Sequence, residues 1–148
     1  MSGPPALSTA PPLLWRETSQ ADADAFRDLT GDDQWIHVDP DRAAREGVPG
    51  GGTVLPGAFL LSVLVAELGR ALGYPPGTRS WQRSYETVRF LRPAPVGGRL
   101  GATAREVARR TARPGRCLVV VDAVLHCDRV PEGPVLTGRF TSLLEETP

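Results

Sequence analysis

The sequence predicts an α+β domain in which an antiparallel sheet wraps around one long central helix. Three observations carry this. The run from Leu55 to Leu72 is apolar on nearly every helical face, which marks a helix buried inside a domain. From Trp81 onward the pattern changes to about four strands separated by Pro- and Gly-rich turns, and strands joined by turns pair antiparallel. At 148 residues the chain is one domain, long enough to bury a core.

Taken in order, residues 1–14 read as a flexible, Pro-rich lead-in and residues 15–145 as the domain. Leu13-Leu14-Trp15-Arg16 has the character of a short strand. Thr18 or Ser19 then offers an N-cap to a helix carrying Ala21, Ala25, Phe26 and Leu29, and Gly31 stops it. Asp32 to His37 follows as a loop. Asp39-Pro40 restarts a short helix, with Asp as N-cap and Pro at the first position. Gly47 to Gly52 is a loop whose glycines permit close backbone approach to a ligand or unusual dihedrals; no GK[ST] follows, so flexibility outweighs a phosphate cradle.

Pro56-Gly57 opens the main helix, from Ala58 to about Leu72, and Gly73 with Pro75-Pro76-Gly77 ends it. Ser84 to Leu91 alternates, with Tyr85, Thr87, Arg89 and Leu91 on one face and Glu86, Val88 and Phe90 on the other. Arg92 to Gly98 is a turn and Leu100 to Arg110 a strand. Arg113-Pro114-Gly115 is a hairpin loop, and Cys117–Cys127 and Val135–Leu144 are the last strands.

Composition narrows the function classes. The 17 basic residues, every one of them Arg, balance 17 acidic ones, so charge points to neither nucleic acid nor an anionic membrane as partner. Residues 1–14 carry no positive charge and lack the apolar core of a signal peptide, and the longest apolar run is too short to span a bilayer. Cys117 and Cys127 lie ten residues apart on one extended segment, about 33 Å if regular, so they cannot pair within it. Reduced, buried thiols in a cytoplasmic protein are the expectation. No Cys/His/carboxylate cluster has metal-ligand spacing, no dinucleotide fingerprint is present, and no cofactor is expected.

The segment Phe26-Arg27-Asp28-Leu29-Thr30-Gly31-Asp32-Asp33-Gln34-Trp35-Ile36-His37-Val38-Asp39 resembles the signature of MaoC-like dehydratases and (R)-specific enoyl-CoA hydratases. That signature runs Ser/Thr-Gly-Asp, a variable residue, Asn-Pro, an aliphatic residue and His, with a further Asp soon after. The resemblance extends to Pro56-Gly57, to Ser62, and to Phe90-Leu91-Arg92-Pro93-Ala94-Pro95-Val96-Gly97, covering most of residues 19–143. It implies the hotdog fold, a homodimer that extends one sheet across two subunits, and catalysis on acyl thioesters of CoA or acyl carrier protein.

Three departures stand out. The family's Asn-Pro is Gln34-Trp35 here, and its His-Gly before the central helix is Pro56-Gly57. The Leu-Pro-Gly-Ala-Phe-Leu-Leu run instead resembles the fatty-acid-synthesis hydroxyacyl-ACP dehydratases. Those place a catalytic Glu at the position of Ser62 and a His near Val48, and neither residue is present.

Adding water to an enoyl thioester needs a proton carrier at the water and a stabiliser for the enolate-like oxygen. Asp32 and His37, five positions apart across a turn, can converge on one water, the imidazole titrating near neutrality. Taken alone, Asp32 is as much a turn residue as a catalyst, and His37 more often a structural histidine. At the family's spacing the pair reads as the catalytic dyad. The Gly57 backbone N–H at the start of the buried helix is the candidate donor to the thioester carbonyl, although a plain helix start is the competing reading. Ser62 either orients a catalytic group, lines the acyl pocket or bonds back to its own backbone. Trp35 and Gln34 are candidate substrate contacts whose departure from the family points to an unusual acyl chain, as in polyketide or other secondary metabolism. Asp122 and His126 read as structural or interface residues.

The leading reading is a hydratase/dehydratase of 2-enoyl/3-hydroxyacyl thioesters. The alternatives are a hotdog thioesterase, with Glu67 as the only carboxylate on the central helix, and a non-catalytic acyl-binding subunit.

Overall fold

A computed structural model describes residues 15–145. The lead-in and Leu13-Leu14 lie outside the described residues. β1 (Arg16–Glu17) and α1 (Gln20–Thr30) come first, then α2 (Trp35–Val38), α3 (Pro40–Arg45) and α4 (Gly57–Ala71). The strands β2 (Arg79–Phe90), β3 (Arg99–Arg113), β4 (Arg116–Cys127) and β5 (Leu136–Glu145) complete the chain.

The helix ends follow from local chemistry. Ser19 caps α1 in a reciprocal box with Asp22, whose Oδ2 accepts the Ser19 N–H at 2.7 Å. Gly31, at φ 79°, closes α1 in the left-handed conformation that an L side chain resists. Asp39 caps α3 by accepting the Arg42 N–H at 2.9 Å. Asp32 to His37 is not wholly a loop, because Trp35–Val38 closes one helical turn, with the Asp39 N–H donating to the Trp35 carbonyl at 2.9 Å.

The five strands form one antiparallel sheet in the order β1-β3-β4-β5-β2. β2 therefore pairs with β5, not with its sequence neighbour β3: the 91–98 turn carries the chain across the sheet instead of closing a hairpin. β2 also begins earlier than its alternation suggests, and it is irregular. Between Glu86 and Arg89 its register against β5 slips by one residue, and Thr87 takes φ 50°. The bulge moves Phe90 to the face that Tyr85 shares with buried Phe140, opposite to the face that simple alternation assigns.

α4 lies across the sheet. Phe59, Leu60, Val63, Leu64 and Leu68 pack against Ala102, Val119, Val121, Leu125 and Phe140 to form the core, and Phe26 of α1 meets Phe59 edge-on at 5.7 Å. This is the sheet-around-helix plan expected of a hotdog fold. α4 is not buried all round, however. Ala58, Ser62, Ala66 and Arg70 recur every fourth residue as an exposed stripe, because one five-stranded sheet and one short helix cannot enclose a whole cylinder. No described helix is long and apolar enough to cross a membrane.

Candidate active site

His37 is the anchor of the site. α2 is one turn long and presents the imidazole inward, leaving the residue 8% exposed. Its Nδ1 lies 2.6 Å from the Val54 carbonyl oxygen. A carbonyl only accepts, so Nδ1 carries the proton, and in the neutral ring Nε2 holds the lone pair. Nε2 is then a base aimed away from the backbone contact.

The acceptor is itself held on both sides. The Val54 N–H donates to Ile36 O at 3.0 Å, the Leu55 N–H to Ala94 O at 2.8 Å, and the Val96 N–H to Thr53 O at 2.9 Å. A Cβ on Gly50 would stand 2.8 Å from Pro95, so the close approach permitted by the glycine loop serves packing against the 92–98 turn.

Asp32 sits half-buried in the link between Gly31 and α2, its N–H donating to Thr30 Oγ1 at 3.3 Å. Its carboxylate has no hydrogen bond or ion pair among the described residues. Gly57 opens α4. Pro56 caps the helix with no side-chain hydrogen bond, so no side chain of the cap residue satisfies the first-turn N–H groups at the positive dipole end. Val54, which holds the imidazole, precedes Gly57 by three residues, at most about 10 Å of chain. The imidazole and the helix start are thereby set by one short segment. A Cβ on Gly57 would meet the Phe90 ring at 3.1–3.3 Å. Phe90 is 53% exposed, so an aromatic edge borders the helix start and remains reachable from solvent.

Other sequence candidates fall elsewhere. The Ser62 hydroxyl donates back to Ala58 O at 2.8 Å on the exposed stripe of α4. Trp35 is half-buried under the Arg42 guanidinium, 4.4 Å from its ring centroid, so one face of the indole is taken. Gln34 is exposed at the start of α2 and makes no capping bond. Asp33 is exposed and Asp39 caps α3.

Glu67 lines a cavity of about 270 Å³ with Trp15, Arg16, Val63, Leu100 and Leu125, and its Oε1 accepts from Arg70 at 2.9 Å. That cavity contains neither Asp32, His37 nor Gly57, and Glu67 lies about 15 Å along the helix axis from Gly57. Asp122 is structural, paired with Arg139 at 2.7 and 3.0 Å. Three residues beside these groups escaped the sequence reading: Gln20, which donates to the His37 carbonyl at 2.8 Å, Thr53, whose hydroxyl donates to Gln20 at 2.6 Å, and Phe90. Gln20 and Thr53 carry no local signal at all, and Phe90 reaches Gly57 only through the bulge at Thr87.

The family model of MaoC like domains matches residues 6–126. The 3-hydroxyacyl-thioester dehydratase Z of Mycobacterium tuberculosis is 38% identical over 91 residues, which are 61% of this chain and 58% of that protein. The chain thus spans little more than half of that relative. Nodulation protein N of Rhizobium leguminosarum bv. viciae is 31% identical over 138 residues, covering 90% of this chain and 83% of that one. Among solved structures, the (R)-hydratase from A. caviae involved in PHA biosynthesis superposes with a TM-score of 0.71. It covers 98% of this chain and 100% of its own at 21% identity, a likeness of fold.

Proposed function

The chain belongs to the family of MaoC like domains, and we propose that it adds water to, or removes it from, a 2-enoyl/3-hydroxyacyl thioester carried on CoA or a carrier protein. The observation that carries this reading is the 2.6 Å contact of His37 Nδ1 with Val54 O, on the segment that opens α4 at Gly57. It leaves a basic nitrogen on a ring held by the short segment that leads into an uncapped helix start, and the reaction needs both groups. The matching dehydratase of M. tuberculosis supports the same chemistry by its name.

In the hydration direction one water lies between Asp32 and His37. Nε2 takes a water proton as the oxygen bonds to C3, while the Asp32 carboxylate accepts the other O–H and orients the molecule. Electron density moves through C2 onto the thioester oxygen, where the Gly57 N–H and the α4 dipole stabilise it. The imidazolium returns the proton to C2 on the same face, a syn addition, and dehydration runs the steps backward. Gln34 and Trp35 border the dyad and favour a specialised acyl chain.

A homodimer completes this reading. β2 is a 12-residue edge strand with exposed Trp81, Tyr85 and Phe90, the kind of edge that seeks a partner strand. Light scattering should return twice the 15.9 kDa of one chain. The reading takes the protein as cytoplasmic, where Cys117 and Cys127, near opposite ends of β4, would stay reduced.

The test is loss of enoyl-thioester absorbance with crotonyl-CoA, wild type beside Asp32→Asn. Activity that disappears in the variant supports both the reaction and the dyad. Equal turnover in the two proteins would sink the assignment of Asp32.

A further inference from the structure

We infer that Gln20 is a positioning residue for the His37 imidazole, acting from a helix start outside the dyad. Its amide joins the two pieces of chain whose spacing sets the ring. Gln20 Nε2 donates to the His37 backbone carbonyl at 2.8 Å and to Asp24 Oδ1 at 3.1 Å. Its Oε1 accepts from the Thr53 hydroxyl at 2.6 Å. The orientation of the amide is not arbitrary. A backbone carbonyl and a carboxylate can only accept, so the NH₂ faces them and the oxygen is left for Thr53, which must donate.

The result is a closed ring. It runs from Gln20 to the His37 carbonyl, through the imidazole to Val54 O, back one residue to Thr53, and from its hydroxyl to Gln20. Thr53 is 5% exposed and His37 8%, so two of its members are shielded from competing water. α2 is one turn long and cannot hold its own orientation. If the ring opens, the Val54 N–H bond to Ile36 O still joins the two segments, but the His37 side chain can turn away from Val54 O and the proton is free to settle on Nε2. The base is then absent in a fraction of molecules.

This inference rests on the hydratase reading for its kinetic consequence, but its direct readout needs no substrate. The chain has two histidines, so ¹⁵N-histidine spectra resolve His37 with His126 as an internal control. In wild type, Nδ1 of His37 should resonate as a protonated nitrogen and Nε2 as an unprotonated one.

In Gln20→Ala the two His37 signals should move toward their tautomeric average, with His126 unmoved. On crotonyl-CoA, kcat should fall about tenfold with KM within about twofold, since orientation and not affinity is lost. Thr53→Val should reproduce both effects, and Thr53→Ser, which keeps the hydroxyl, should restore both. If Gln20→Ala fails to fold, Thr53→Val opens the same ring from the other side.

A folded Gln20→Ala or Thr53→Val protein whose His37 tautomer is that of wild type overturns the inference. Wild type that is inactive on crotonyl-CoA while the tautomer still shifts refutes the substrate reading and leaves Gln20 its role.

Discussion

The two ends of α4 are organised by different interactions. At its start, α1, α2 and the Thr53–Leu55 segment are joined mainly by neutral hydrogen bonds of 2.6–3.0 Å, with Thr53 and His37 buried. Beyond its C-terminal end the polar contacts are charged. Glu106 is gripped by Arg109 at 2.8 Å through both oxygens and receives the Tyr74 hydroxyl at 3.3 Å.

The difference has an energetic reason. A buried neutral bond has a narrow geometry and leaves an expensive orphan when one partner goes. An exposed ion pair tolerates movement, is screened by salt and stabilises little. The end that holds the buried imidazole uses the first kind.

The largest effect expected is at the site end. His37→Ala and Asp32→Asn should each lower kcat/KM by about 10²–10⁴, measured by enoyl-CoA hydration. In calorimetry the melting temperature should barely move for Asp32→Asn and should fall for His37→Ala, which leaves the Val54 carbonyl without its partner. Near-native turnover in either would remove the distinction between the two ends.

Gly57→Ala sharpens it. The methyl group meets Phe90 at 3.1–3.3 Å, so ring or helix start must shift while the N–H is retained. About a tenfold loss of kcat/KM is expected, with recovery in the double variant Gly57→Ala/Phe90→Leu, where the ring is gone.

At the far end Glu106→Gln should change stability by less than about 1 kcal/mol and leave turnover alone. The Arg109 guanidinium holds the Glu106 carboxyl below its ordinary range. The small contribution is therefore present above the unfolded value of 4.5 and lost as pH falls through the lower folded value. Denaturant midpoints at pH 3 and pH 7 check this.

The smallest effect belongs to His126, whose Nε2 is buried without a partner among the described residues and whose pKa burial lowers from 6.5. The folded state prefers the neutral ring, so His126 disfavours folding as pH drops below 6.5 and the unfolded chain takes up the proton first. His126→Gln should flatten the pH dependence of the melting temperature between pH 7 and pH 5. An unchanged slope would place the titration elsewhere.

Much of this was legible in the sequence wherever the cause is local. Ser19, Gly31 and Asp39-Pro40 end their helices by hydrogen bonds and dihedrals within four residues, so their chemistry is written where it acts. The apolar run of α4 announces the core, since a helix that greasy has to be covered. Asp32 and His37 could be picked out as a candidate pair because they share one short stretch at the family's spacing.

What only the tertiary structure decided is non-local. Gln20 meets Thr53 across 33 residues and His37 meets Val54 across 17, contacts that exist only after the chain has closed on itself. The pairing of β2 with β5, the bulge that turns Phe90 toward Gly57 and the exposed stripe of α4 also depend on which strand arrives beside which. Hydrogen-bonding capacity can be read from a residue's type. Its partner cannot, because the choice is made by the free energy of the whole packed arrangement.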